Sequence, residues 1–186
     1  MATLEVDRMR SRLSRFEGRF DGCKVEIVGG ALVMSPVRPF HNETMLLLWS
    51  SLRGQLSADW RSISDVTVPF DDDYEFCPDL AVIPQAEAAK NLSQYSPDLV
   101  ELAIEVVSPS SARNDYETKN RWYASRGIAD YLIFDPYQGH CVTHWNPGPD
   151  GYLGRDTIPY GKTVTVDSAV GFLKFDTSEL PVDPAR

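Results

Sequence analysis

Cysteine is scarce in this 186-residue chain: Cys23, Cys77 and Cys141 are far apart, odd in number and never in a CxxC pair. A zinc ribbon and a disulfide framework are thereby disfavoured, and the three read as packed thiols. Long apolar runs are also missing. Leu99 to Val107 is the most apolar stretch, yet Glu101 and Glu105 interrupt it, and nothing approaches the ~20 residues of a membrane helix. Met1 to Phe20 carries acids and five arginines without an apolar centre. No signal peptide is read there, and a cytoplasmic location is expected. GxSxG, GxxxxGK[ST] and GxGxxG are all absent, which leaves serine hydrolase, nucleotide triphosphatase and dinucleotide-binding readings without a motif.

What is present suits one soluble α/β domain. Apolar residues make up 42% and charged residues 24%, ordinary values for a globular chain, and the length suits a single core. One domain over 1–186 is expected, with its core at about 24–146. The net charge of −9 argues mildly against a partner held mainly by phosphate contacts. Bases gather at Arg8 to Arg19 and at Arg113 to Arg126, so a local basic face is still available.

Periodicity divides the chain. Leu4 to Arg15 reads as a short amphipathic helix, and Lys24–Val28 with Ala31–Met34 as a hairpin about Gly29-Gly30. Met45, Leu48, Trp49, Leu52 and Leu56 form a helical stripe over His41 to Leu56. Ser62–Phe70 and Asp79–Ile83 read as strands, and Gln85 to Asp98 as a surface loop. Leu99–Val107 is the most strand-like segment. A helix follows over about Asp115 to Arg126, with a serine or Asn114 as cap and Gly127 as its stop. Asp130–Phe134 is another buried strand, and Cys141–Trp145, Tyr152–Ile158 and Thr163–Val166 make a β-rich tail. Strand–helix–strand at the centre implies parallel pairing, so the expected fold is a mixed β-sheet flanked by helices.

Two carboxylates stand out. Asp79 follows Pro78 at the mouth of a strand, and Glu105 lies inside the most apolar one. Alternation puts Glu105 on a face with Glu101, Ala103 and Val107. An isolated carboxylate there is costly to bury, so either the face is solvated or Glu105 meets a cation or a donor. Two carboxylates from adjacent strands suit Mg²⁺, which takes one or two of them with water and phosphate oxygens. On the next helix, Asp115 and Lys119 are four apart and share a face, as do Lys119 and Tyr123. They are either a solvent-exposed pair or an ammonium aimed over the end of the Glu105 strand. His41 reads as a polar contact at a helix start that could border a site. His140 and His144 lack a nearby acid for a chelate, and Trp49, Trp60, Trp122 and Trp145 read as core or rim aromatics.

In order along the chain, Val25-Glu26-Ile27, Gly29-Gly30-Ala31-Leu32-Val33-Met34-Ser35-Pro36, His41-Asn42, Pro78-Asp79, Glu105 to Ser110, Asp115-x-x-x-Lys119, Tyr123, Gly127 to Tyr131 and Asp135-Pro136 resemble the Uma-type endonucleases. These belong to the PD-(D/E)XK nuclease superfamily, and the resemblance spans about Lys24 to Val170. It implies a restriction-endonuclease-like fold with a metal on Asp79 and Glu105, helped by the Val106 carbonyl. It further implies Glu26 as an amino-terminal acid of the site and Lys119 as the catalytic lysine. Val107 stands where the superfamily's basic signature has lysine, and Lys119 resembles a lysine moved onto the next helix. Gly29-Gly30 stands where Asp-Gly is more usual.

The resemblance implies a Mg²⁺-dependent endonuclease acting on DNA, with Mn²⁺ as an alternative ion. A two-fold homodimer is expected, since cutting both strands of a duplex pairs two sites. A nuclease-fold binding or regulatory protein with weak or no cleavage is the alternative, favoured by the charge of −9. A glycosidase using Glu105 and a second acid is a third reading. It is opposed by the helix lysine and by the lack of substrate aromatics near the motif.

Overall fold

The structure, a computed structural model, describes residues 23–183. The helix expected at Leu4 to Arg15 lies outside them.

The chain opens with the expected hairpin, β1 (Cys23–Val28) and β2 (Ala31–Pro36), paired so that Glu26 faces Val33. Gly29 and Gly30 turn it with φ of 58° and 73°. Two successive positive φ values match the twist of a tight hairpin and favour glycine. Helix α1 (Pro39–Arg53) follows, with Pro39 at the first position, where its missing N–H costs nothing. The stripe read in the sequence is its buried face as far as the helix runs: Leu48 and Leu52 are in the core, with Met45 and Trp49 packed against it, while Leu56 packs there from beyond the end at Arg53.

Among the described residues, six strands form the main sheet, in the order β10-β9-β8-β7-β6-β3. They are β3 (Trp60–Ile63), β6 (Leu80–Pro84), β7 (Leu102–Val106), β8 (Asp130–Asp135), β9 (His140–Gly148) and β10 (Gly151–Pro159). β7 and β8 are parallel, as the strand–helix–strand unit requires, and the other pairs are antiparallel. A smaller sheet joins β2 and β1 to β5 (Glu75–Phe76) and β4 (Val68–Pro69). The β-rich end closes with a hairpin of β11 (Thr163–Ser168) and β12 (Gly171–Asp176).

Both faces of the main sheet are covered. Leu102, Ile104 and Val106 of β7 belong to a core with Leu48 and Leu52 of α1 and Val164, Leu173 and Phe175 of the last hairpin. Ala103 and Val107 belong to a second core with Phe76, Tyr123, Tyr131 and Ile133. Coverage of both faces explains why β7 and β8 read as continuous apolar runs rather than as alternating ones.

Three expectations need correction. Ser62–Phe70 is two strands in two different sheets, because the backbone breaks at Asp65, which has a φ of 52°. Gln85 to Asp98 contains a short helix, α2 (Gln85–Ala88), and a 3₁₀ turn at Pro97–Leu99. The segment after β7 begins as a π-helix over Asn114–Lys119 and continues as α3 (Asn120–Ser125). No side chain caps that start; Asn114 instead donates to Glu26, and Ser111 to Asp115.

Candidate metal centre

The site is built where β6 begins and β7 ends. These strands are antiparallel, with Leu80 opposite Ile104, so Asp79 comes beside Glu105 and Val106. The Val106 N–H donates to Asp79 Oδ2 at 2.7 Å. That bond fixes the carboxylate and turns its other oxygen, Oδ1, inward.

Glu105 is 1% exposed and Asp79 is 3% exposed, which excludes the solvated-face alternative. The Lys119 Nζ lies 2.9 Å from Glu105 Oε1, 2.9 Å from Asp115 Oδ1 and 3.1 Å from Glu26 Oε1. Lys119 and Asp115 are each 1% exposed, so their pair is not the surface pair of the plainer reading. The wide π turn carries both inward, and its Asp115 carbonyl accepts the Tyr131 hydroxyl at 2.9 Å. Such turns recur at functional sites. Tyr123 donates to Glu105 Oε1 at 2.8 Å, and the Cys77 N–H donates to Glu26 Oε1 at 3.0 Å. All four sequence-predicted side chains, Glu26, Asp79, Glu105 and Lys119, therefore meet in one buried cluster, with the Val106 backbone beside them.

Lys24 was missed. Its ammonium bridges the two central carboxylates, 2.8 Å from Asp79 Oδ1 and 2.9 Å from Glu105 Oε2. Its only signal in the sequence is alternation, since residues two apart on β1 share a face and Glu26 was already singled out. His41, in the first turn of α1, borders the site more closely than its place in the sequence suggests. Its Nδ1 lies 3.1 Å from the Val106 carbonyl and its Nε2 lies 3.4 Å from Asp79 Oδ1.

Burial and charge act against each other here. Burial pushes Asp79 up, but the Lys24 ammonium and the bond from His41 outweigh it and hold the carboxyl well below the usual range. Glu105 shows the opposite balance: burial outweighs Lys119 and Lys24 and raises it to about 7. Burial lowers His41, yet the neighbouring Asp79 carboxylate leaves it raised. Lys119 is raised well above its ordinary value, as Asp115, Glu105 and Glu26 together overcome desolvation.

Among the described residues, no group of three or more His, Cys, Asp or Glu side chains is arranged to hold a metal ion. The donor set is smaller: Asp79 Oδ1 and Glu105 Oε2, which converge on one cationic nitrogen, with the Val106 carbonyl nearby. All are hard oxygens. Mg²⁺ is commonly held by only one or two carboxylates and keeps several waters. The residues fit such a hydrated ion and do not form a closed cage.

His140 and His144 build no second centre. His140 touches the Tyr116 hydroxyl, and His144 stacks on Tyr131. Trp49 and Trp60 pack against the core, and Trp122 packs on Phe70 and Tyr74. Cys77 and Cys141 are free thiols.

A mixed sheet flanked by helices, with a β-rich end, is a nuclease-like fold. The model of the Uma2 family, described as "Putative restriction endonuclease", matches residues 11–178, and the chain belongs to that family. Among solved structures, the chain is similar to a putative nuclease belonging to DUF820 from Anabaena variabilis. That likeness has a TM-score of 0.62 at 17% identity, covering 77% of this chain and 81% of the other. At that identity it speaks for the fold alone. No curated protein matches.

Proposed function

We propose that this protein is a Mg²⁺-dependent endonuclease that hydrolyses DNA phosphodiester bonds, with Mn²⁺ able to substitute. The observation that carries the reading is the convergence of Asp79 Oδ1 and Glu105 Oε2 on one cation, at 2.8 and 2.9 Å. Asp79, Glu105 and the Val106 carbonyl would hold the ion. Bound there, a divalent ion supplies Lewis acidity to the phosphate and a water of lowered pKa.

The chain's own residues prepare that chemistry. Val106 N–H and His41 orient Asp79, while Tyr123 and Lys119 orient Glu105 from behind and leave its Oε2 for the ion. Lys119 supplies positive charge close to the reacting phosphate, and Glu26 completes the acidic cluster while anchoring Lys119. Such preorganised charge in a water-poor site is worth far more than in solvent. Family membership supports a nuclease role, and no described helix is long and apolar enough to cross a membrane. The reading includes a cytoplasmic homodimer that offers one site to each strand.

The competing reading, a nuclease-fold binding protein without cleavage, draws on the net charge of −9. The two are separated by incubating supercoiled DNA with Mg²⁺ or Mn²⁺ and wild type, Glu105→Gln or Lys119→Ala. Divalent-dependent nicking by wild type, lost by at least about 100-fold in both variants, is expected. DNA retention without nicking favours the binding protein, and equal nicking by all three rejects the site.

A further inference from the structure

The cleft at the carboxylate cluster is lined by Lys24, Glu26, His41, Asp79, Glu105 and Lys119, among others, and holds about 20 Å³ of free space. With the Lys24 ammonium in place, that is room for about one water. The oxygens facing the cleft are few, because the rest have partners. Asp79 Oδ2 accepts from Val106 N–H, and Glu105 Oε1 accepts from Tyr123 and meets Lys119. Asp79 Oδ1, which also lies 3.4 Å from His41 Nε2, and Glu105 Oε2 remain, and the Lys24 ammonium contacts both, at 2.8 and 2.9 Å.

We infer that Lys24 is the built-in competitor of the metal: its ammonium neutralises the two metal-holding oxygens, and a divalent ion binds only by displacing it. The inference rests on the metal reading above and adds a regulatory element to that site. A lysine suits this task because its charge is compact and sits on a flexible four-carbon stem. Its side chain is 11% exposed, against 1% for Lys119, so Lys24 has a way out towards solvent where Lys119 has none. Two cations cannot share the same pair of oxygens in so small a cleft, and without Lys24 the Asp79 and Glu105 carboxylates lose the cation that bridges them and repel each other. Lys24 therefore keeps the metal-free fold intact while lowering its affinity for metal.

The test is Mn²⁺ binding to the full chain, followed by calorimetry and by the loss of the free-ion electron paramagnetic resonance signal. Wild type is compared with Lys24→Met, Lys24→Arg and the double variant Lys24→Met/Asp79→Asn. Lys24→Met is expected to bind Mn²⁺ at least tenfold more tightly than wild type, and to melt lower without Mn²⁺ but gain more from it. Lys24→Arg, which keeps the charge, should bind no more tightly than wild type, and the double variant should lose the gain. Should Lys24→Met fold only when Mn²⁺ is added, by circular dichroism, the competition is upheld; if Mn²⁺ does not restore it, the inference fails. Equal or weaker Mn²⁺ binding by Lys24→Met overturns the competition and leaves the metal site standing. No Mn²⁺ binding by wild type or any variant overturns both.

Discussion

The stability of the site turns on single charges. Lys119 is 1% exposed and within 3.1 Å of Glu26, Glu105 and Asp115. Removing one partner of such a cluster leaves buried charge uncompensated, so Lys119→Met is expected to lower unfolding free energy by about 3–5 kcal/mol in urea titrations. A midpoint equal to that of wild type would mean that the cluster does not form. Glu105 carries a pH signature of unusual sign. Its carboxyl is raised from 4.5 to about 7, so between those values the folded chain binds more protons than the unfolded one. Its contribution to stability is complete below about pH 4.5 and is lost as pH rises through about 7. Asp79, held low, acts in the opposite sense: its contribution is present above its ordinary value of 3.8 and lost as pH falls. Wild type should therefore lose stability relative to Glu105→Gln between about pH 4.5 and 7, measured by chemical unfolding at each pH. A flat difference over that window would show that Glu105 is already ionised when folded. The carboxylates were legible in the sequence because an acid inside an apolar strand conflicts with burial. Lys24 was not, because a lysine on an amino-terminal strand is an ordinary surface residue until its strand is brought against Asp79.

Local geometry at two elements decides where these charges point. The hairpin of β1 and β2 carries Lys24 and Glu26, and its turn needs φ of 58° at Gly29 and 73° at Gly30. Among the described residues, a Cβ at Gly29 would come no closer than 3.6 Å, to the Tyr74 hydroxyl, whereas one at Gly30 would come within 3.1 Å of Asp73. Asparagine tolerates the left-handed region better than most residues. Gly29→Asn is therefore expected to leave stability within about 1 kcal/mol of wild type. Gly30→Val should lower it, and the reverse order would argue against this turn. In the π turn over Asn114–Lys119, the Asp115 carbonyl is bonded by the buried Tyr131 hydroxyl at 2.9 Å. Tyr131→Phe removes that bond from the turn, at a cost of about 0.5–1.5 kcal/mol in urea unfolding; no measurable loss would show that the turn does not depend on it. The i, i+4 pair of Asp115 and Lys119 is legible as a helix, but the wider π turn leaves no periodic trace.

Across the whole molecule, the charge of −9 limits what any DNA contact can be. Each phosphate neutralised contributes about −0.9 to the slope of log affinity against log salt concentration. Few contacts are expected from so acidic a chain, so the slope should be shallow, roughly −4 or less steep, in fluorescence-anisotropy titrations with a short duplex. A slope near −10 would require an extensive basic face.

The order of elements was determined by the sequence itself: the glycine-turned hairpin, the helical stripe of α1, the apolar β7 and β8, and a helix between them that makes their pairing parallel. These follow from periodicity and turn chemistry, which act over a few residues. Only the tertiary structure decided that Ser62 to Phe70 is split between two sheets, since that depends on one left-handed residue and on which edges are free. It alone decided the partners of the acids. Glu26, Lys24, Asp79, Glu105 and Lys119 come from separate elements, and long-range pairing, whose register no local pattern encodes, brings them together.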